Sequence, residues 1–116
     1  MNSNLNQFNL QGKKAIIVGG SGLIGNEITN VIAAKGAKVF VLDIKKPLIK
    51  KKNKKRINYI YFDCSSSLIE KKYKKILSKF KAPQIFINCS YPINIDWGKN
   101  DFKNISLKNF KKNIDI

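Results

Sequence analysis

The stretch VGGSGLIGNE, Val18 to Glu27, places four glycines within seven residues: Gly19, Gly20, Gly22 and Gly25. It separates two segments of different periodicity. Lys14 to Val18 (KAIIV) is a short, mostly apolar run of the kind that forms a strand buried on both faces. Beyond the glycines, Ile24, Ile28, Val31 and Ile32 recur at helical spacing between Leu23 and Lys35, and Gly36 stands where a helix C-cap belongs. Lys38 to Asp43 (KVFVLD) then reads as a second buried strand. A strand, a tight turn, a helix and a strand in such close succession predict a right-handed βαβ unit with parallel strands.

The alternation continues downstream. Ile44 to Arg56 (IKKPLIKKKNKKR) has no sustained apolar period and is too charged to bury, so a solvated, mobile connection is expected there. Ile57 to Asp63 (INYIYFD), rich in β-branched and aromatic residues, predicts a third strand. The next segment offers Ser65 to Ser67 as N-caps and sets Ile69, Tyr73, Ile76, Leu77 and Phe80 on one helical face, with the lysines mostly opposite. Pro83 closes that region, and Gln84 to Asn88 (QIFIN) predicts a fourth strand. A loop containing Pro92 and Gly98 leads to a last amphipathic helix, with Ser106 as N-cap and Leu107, Phe110 and Ile114 on one side. The expected fold class is α/β: a Rossmann-like parallel sheet of about four strands with helices on both faces. Residues 1–116 are read as one domain, incomplete at its C-terminal side.

Composition narrows the chemistry. The chain carries 23 Lys and Arg against 7 Asp and Glu, a net charge of +16, and no histidine. An imidazole base, a histidine-ligated metal and a Ser/His/Asp triad are therefore excluded within it. The charge would favour a polyanion through counterion release. Its lysines are spread along the whole chain, however, so nucleic acid is the less favoured partner. Cys64 and Cys89 fit no CxxC pattern and are expected to be reduced core thiols. No apolar stretch approaches the ~18 residues of a membrane span, and the first residues do not resemble a signal peptide; no membrane partner and a cytoplasmic location are expected.

Gly20-x-Gly22-x-x-Gly25 fits the dinucleotide fingerprint and stands between a strand and a helix, where the chemistry requires it. Gly19 or Gly20 can make the tight turn, Gly22 can let backbone approach a pyrophosphate, and Gly25 can let the helix pack closely. Asp43 ends the second strand at the position of an acid that bonds the ribose hydroxyls. A carboxylate there repels a 2′-phosphate, which favours NAD over NADP. Lys45 and Lys46 could answer that phosphate instead, and Asp43 could be only a turn residue.

The segment LQGKKAIIVGGSGLIG resembles the opening of the short-chain dehydrogenase/reductase family. That resemblance implies an NAD(P)-dependent oxidoreductase that transfers hydride to or from a hydroxyl or carbonyl carbon of a small-molecule substrate. It also implies a cofactor site made by Gly19, Ser21, Gly22, Leu23, Ile24, Gly25, Asp43, Asp63, Cys64, Asn88 and Ser90. Within it Asp63 matches the acid at adenine, and NCSY, Asn88 to Tyr91, occupies the place of the Asn-Asn-Ala-Gly motif; both Asp63 and Asn88 could equally cap a helix or fasten a loop. Val18 stands where the family has threonine, and Tyr91 where it has glycine. NCSYPINIDWG is similar to the surface-polysaccharide and flagellin-modification branch, which implies a sugar or nucleotide-sugar substrate and would set Tyr91 and Trp97 near the nicotinamide or packed on the sheet. The family's catalytic Tyr-x-x-x-Lys is absent: the residues four beyond Tyr59, Tyr61, Tyr73 and Tyr91 are Asp63, Ser65, Leu77 and Ile95. The chain is therefore expected to bind dinucleotide without catalysing, as the N-terminal part of a longer enzyme. Its fourth strand, Ile85 to Ile87, is expected to form an exposed apolar edge that favours self-association.

Overall fold

The computed structural model describes residues 7–91 and 103–114. Four strands alternate with helices: β1 (Lys14–Val18), α1 (Leu23–Ala34), β2 (Lys38–Asp43), β3 (Ile57–Tyr61), α2 (Ile69–Phe80) and β4 (Ile85–Asn88), followed by α3 (Leu107–Ile114). All pairings are parallel, in the order β3-β2-β1-β4. The α/β, Rossmann-like architecture expected from the sequence is the one observed.

This order and the chirality of the crossovers together place the helices. Steps from β1 to β2 and β2 to β3 run in one direction, and the step to β4 reverses it, so right-handed connections put α1 and α2 on opposite faces. Two cores result. Ala15, Ile17, Val39, Val41 and Ile57 pack with Ala33 of α1, whereas Ile16, Val18, Phe40, Leu42 and Phe62 pack with Ile76 of α2. Register aligns the strand ends: Val18 pairs with Leu42 and Asn88, and Asp43 with Tyr61. One edge of the sheet therefore collects the chain leaving β1, β2, β3 and β4.

Of the large apolar residues expected on the buried face of α1, Ile28 and Ile32 pack on the core, half-buried, but the most buried stripe is made of small residues. Gly25, Thr29, Asn30 and Ala33 are buried, while Ile24 is 73% and Val31 54% exposed. Small residues at i, i+4 and i+8 let the helix lie close to the sheet, and that proximity outweighs the burial of two branched side chains. The helix ends in a Schellman motif: Gly36 has φ +103°, its amide donates to Ala33 O, and the Ala37 amide donates to Ile32 O.

The basic connection 44–56 is not a free loop. Its lysines are exposed, yet Asn53, in a short 3-10 turn at Lys51–Asn53, is 1% exposed. The Asn53 side-chain Nδ2 donates to Asn30 O (3.0 Å) and Asn30 Oδ1 (3.2 Å). Asn30 in turn receives the Lys50 amide and donates to Leu48 O, and Asn26 Oδ1 receives the Leu48 amide. Three asparagines thus pin the connection to α1.

Two boundaries differ from expectation. Strand β3 ends at Tyr61 instead of Asp63, and α2 starts at Ile69 behind Leu68 with no side-chain cap. The serines before it are spent on turns instead: Ser66 Oγ accepts the Leu68 amide. The apolar face of α2 is as expected, with Phe80 stacked at 4.3 Å on Phe40 and Tyr73 edge-on to Phe62 and Phe86. In α3, Ser106 Oγ accepts the Asn109 amide as an N-cap should, and Leu107, Phe110 and Ile114 are exposed. Among the described residues no helix is long and apolar enough to cross a membrane.

Candidate functional site

Open α/β sheets bind ligands beyond the carboxyl ends of the strands, where the strand order reverses. Here that point lies between β1 and β4. Gly19, leaving β1, has φ +72°, and a Cβ on it would lie 2.6 Å from the Ser90 nitrogen and 2.7 Å from the Cys89 carbonyl carbon. Of the two glycines able to make the tight turn, Gly19 makes it. Gly20 is buried beneath Thr29 and Val41, and Thr29 Oγ1 donates to its carbonyl (3.1 Å).

The remaining two glycines divide the work. A Cβ on Gly25 would run into the Gly19 carbonyl oxygen and come within 2.9 Å of Gly20 Cα, so α1 sits directly on the turn. A Cβ on Gly22 would meet nothing nearer than Gly19 O at 3.6 Å. Gly22 is the N-cap of α1; it provides no side-chain cap, and the first turn holds no acid. The amides of Leu23, Ile24 and Gly25 thus lack intrahelical acceptors at the positive end of the helix, in open space suited to an anion. Leu23 is 95% exposed, so an apolar wall flanks those amides.

Asp43 stands next to this turn and is bonded to it. Its Oδ2 accepts the Ser21 amide (3.0 Å) and its Oδ1 the Lys45 amide (3.2 Å). The Ser21 hydroxyl donates to Lys45 O (2.6 Å), and the Gly19 amide to Leu42 O (2.8 Å). The glycine turn and the exit from β2 are therefore one hydrogen-bonded unit.

The exits from β3 and β4 repeat the device. Asp63 Oδ1 accepts both the amide (2.9 Å) and the hydroxyl (2.6 Å) of Ser65, and Asn88 Oδ1 accepts both from Ser90 (3.0 and 2.6 Å). The Ser65 hydroxyl, then its amide, hold the Asp63 carboxyl below the ordinary carboxylate range, and Lys72 adds to this. The sequence offers Ser65 as a helix N-cap and not as part of the cofactor site; the repeated Asp-Cys-Ser and Asn-Cys-Ser triplets are the signal for its role here.

Cys64 and Ser90 meet across the edge. Burial raises the Cys64 thiol above its ordinary value, and a hydrogen bond with the Ser90 hydroxyl works against that shift. Both line a cleft of about 240 Å³ on the α2 face, with Val18, Phe62, Tyr73 and Phe86. Cys89 packs against the opposite core, so the two cysteines lie on different faces of the sheet and both are free. Burial raises the Cys89 thiol as well. The structure thus brings Gly19, Ser21, Gly22, Leu23, Ile24, Gly25, Asp43, Asp63, Cys64, Asn88 and Ser90 to one edge. Tyr91 is exposed, and Trp97 lies outside the described residues.

Comparison with known proteins agrees with the fold. Residues 15–87 match the family model described as 3-hydroxyacyl-CoA dehydrogenase, NAD binding domain. Among solved structures, a short chain dehydrogenase from Leptospira borgpetersenii with bound NAD+ is 25% identical at a TM-score of 0.73, over 98% of this chain and 42% of that one. The 2-keto-3-deoxy-D-gluconate dehydrogenase of Streptococcus agalactiae is 27% identical at 0.62, over 94% and 42%. A 3-oxoacyl (acyl-carrier-protein) reductase from Agrobacterium tumefaciens with NADP bound shares the fold at 16% identity and a TM-score of 0.70, over 95% and 43%. The chain thus spans less than half the length of each of these structures. No curated protein matches it.

Proposed function

The chain belongs to the family of the 3-hydroxyacyl-CoA dehydrogenase NAD binding domain, and from that premise we propose that its sheet edge holds NAD for an oxidoreductase of the short-chain dehydrogenase/reductase type. The uncapped N-terminus of α1, opened by Gly22, is the observation that carries this reading. The amides behind Gly22 take the pyrophosphate, with Ser21, Leu23 and Ile24 around it. Asp43 accepts the hydroxyls of the adenosine ribose, the Asp63–Cys64 turn borders adenine, and Asn88 and Ser90 line the path toward the nicotinamide.

When bound, NAD supplies the hydride acceptor for a hydroxyl carbon, or as NADH the donor for a carbonyl. What this chain's own residues do is bind and orient. It contains no Tyr-x-x-x-Lys, so within these 116 residues no such pair is available to move the hydroxyl proton. A sugar or sugar acid is the substrate class we favour for the whole protein, supported by the likeness of NCSYPINIDWG to sugar-modifying relatives and by the sugar-acid dehydrogenase among the similar structures. Calorimetric titration of the chain with NAD tests the reading. Binding should be saturable and weakened roughly 10- to 100-fold by Asp43→Ala, the worth of a hydrogen bond to a charged group. No measurable binding of NAD or NADP by the folded chain would overturn it.

A further inference from the structure

We infer that Ser21 determines cofactor specificity by acting through Asp43. This rests on the dinucleotide reading above and goes beyond it by naming what sets NAD against NADP. An ionised carboxylate has about four acceptor positions, two on each oxygen. In the structure one position on Oδ2 is taken by the Ser21 amide and one on Oδ1 by the Lys45 amide. One position per oxygen is left, the arrangement that accepts two vicinal hydroxyls at once, as in a 2′,3′-diol. A 2′-phosphate offers no second hydroxyl and brings negative charge to the same place.

That geometry depends on where the main chain of residues 43–45 lies, and the Ser21 hydroxyl fixes it by donating to Lys45 O at 2.6 Å. Ser21 is thus bonded at both ends of the Asp43–Lys45 turn: its amide holds the carboxylate and its hydroxyl holds the backbone carrying Lys45. Lys45 and Lys46 are exposed immediately beyond. With the hydroxyl removed, the turn loses its second tether. The carboxylate then gives up its fixed bidentate geometry, and the two ammonium groups gain freedom to reach a 2′-phosphate. Ser21 is a positioning residue, since its hydroxyl acts on the ribose only through Asp43.

The test measures dissociation constants of the 116-residue chain and its Ser21→Ala and Ser21→Thr variants for NAD, NADP and 2′-deoxy-NAD. Ser21→Ala should weaken NAD about ten-fold while leaving NADP unchanged or tighter, so that the NAD:NADP preference falls. Ser21→Thr, which keeps the hydroxyl, should keep the preference. Wild type should bind 2′-deoxy-NAD more weakly than NAD, and Ser21→Ala should cost this analogue much less than it costs NAD, because one of the two hydroxyls is already gone. Equal weakening of all three ligands would mean general damage to the turn and overturn the inference, as would no change in any of them. Wild type that binds NAD but shows neither pattern in the variants refutes this inference alone. Wild type that binds neither dinucleotide refutes the reading beneath it as well.

Discussion

The same small substitution should act differently at two glycines three residues apart, mainly on stability at one and mainly on binding at the other. At Gly25, inside α1, alanine is about 1 kcal/mol the better helix former. Its methyl, however, would meet the Gly19 carbonyl oxygen and lie 2.9 Å from the Gly19 carbonyl carbon and from Gly20 Cα, all backbone atoms that cannot rotate away. Overpacking of this kind costs about 3 kcal/mol, so Gly25→Ala should lose about 2 kcal/mol net. At roughly 4 °C per kcal/mol for a domain of this size, that lowers Tm by about 8 °C. At Gly22 the methyl enters open space at φ −75°, which alanine adopts freely. The weaker N-cap costs about 0.5–1 kcal/mol, or about 2–4 °C. The same methyl stands between the first-turn amides and an incoming pyrophosphate, and NAD affinity should fall about 10- to 100-fold. Thermal unfolding followed by circular dichroism, together with calorimetric titration, separates the two. A Gly25→Ala chain melting at or above wild type would refute the seating of α1 on the turn. A Gly22→Ala chain that binds NAD as tightly as wild type would refute the placing of phosphate at the helix N-terminus.

Asn53→Ala should destabilise the chain by about 2 kcal/mol, because it removes both buried hydrogen bonds that the Asn53 side chain donates to Asn30 O and Oδ1. Urea denaturation measures this, and a loss within error of zero would show that the connection is not pinned. Ser65→Ala should raise the Asp63 pKa toward its ordinary value, read by NMR titration of the carboxyl carbon. Because the folded pKa is depressed, the Ser65 contribution to stability is present above the ordinary carboxylate pKa and lost as pH falls through the folded value. The stability gap between variant and wild type should therefore close in acid, and a gap constant with pH would contradict this. Phe86, 54% exposed on the edge strand β4, should drive self-association, which Phe86→Lys should reduce in sedimentation velocity; equal association by both chains would contradict it.

What the sequence revealed and what it hid have separable causes. The strands at Lys14 and Lys38 were legible because they are buried on both faces and carry continuous apolar patterns, and those at Ile57 and Ile85 because their β-branched and aromatic residues mark them even at half-exposed edges. The face of α1 was only half legible, Ile28 and Ile32 packing on the core but not Ile24 and Val31, because periodicity weights large side chains, whereas contact with the turn selects small ones, Gly25, Thr29 and Ala33. The pinning of the basic connection was hidden for a related reason. Lys50 to Lys55 read as solvent, and they are exposed, but the ordering comes from Asn53 within them and from Asn26 and Asn30 one helical turn apart. Polar residues that bond across 20 positions of chain leave no periodic trace.

At the site, the sequence posed a choice, and the structure shows one side of it. Asp63 and Asn88 could either fasten the loops after their strands or face a ligand. In both, the fastening bonds fall on Oδ1 alone. Among the described residues, the Asp63 Oδ2 and the Asn88 side-chain amide nitrogen take no part in these turn bonds. Fastening therefore uses one polar atom of each side chain and leaves the second outside the turn, which is compatible with the ligand-facing role proposed above. Asp43 does the same with one bond on each oxygen, leaving a pair of acceptors side by side. The three strand exits are built on one plan yet present a carboxylate pair, a single carboxylate oxygen and an amide donor. A fold shared among a hydroxyacyl-CoA dehydrogenase domain, sugar-acid dehydrogenases and acyl reductases says nothing about that sequence of groups. In this chain it is set by the residue ending each strand and by Ser21, Ser65 and Ser90, which lock them.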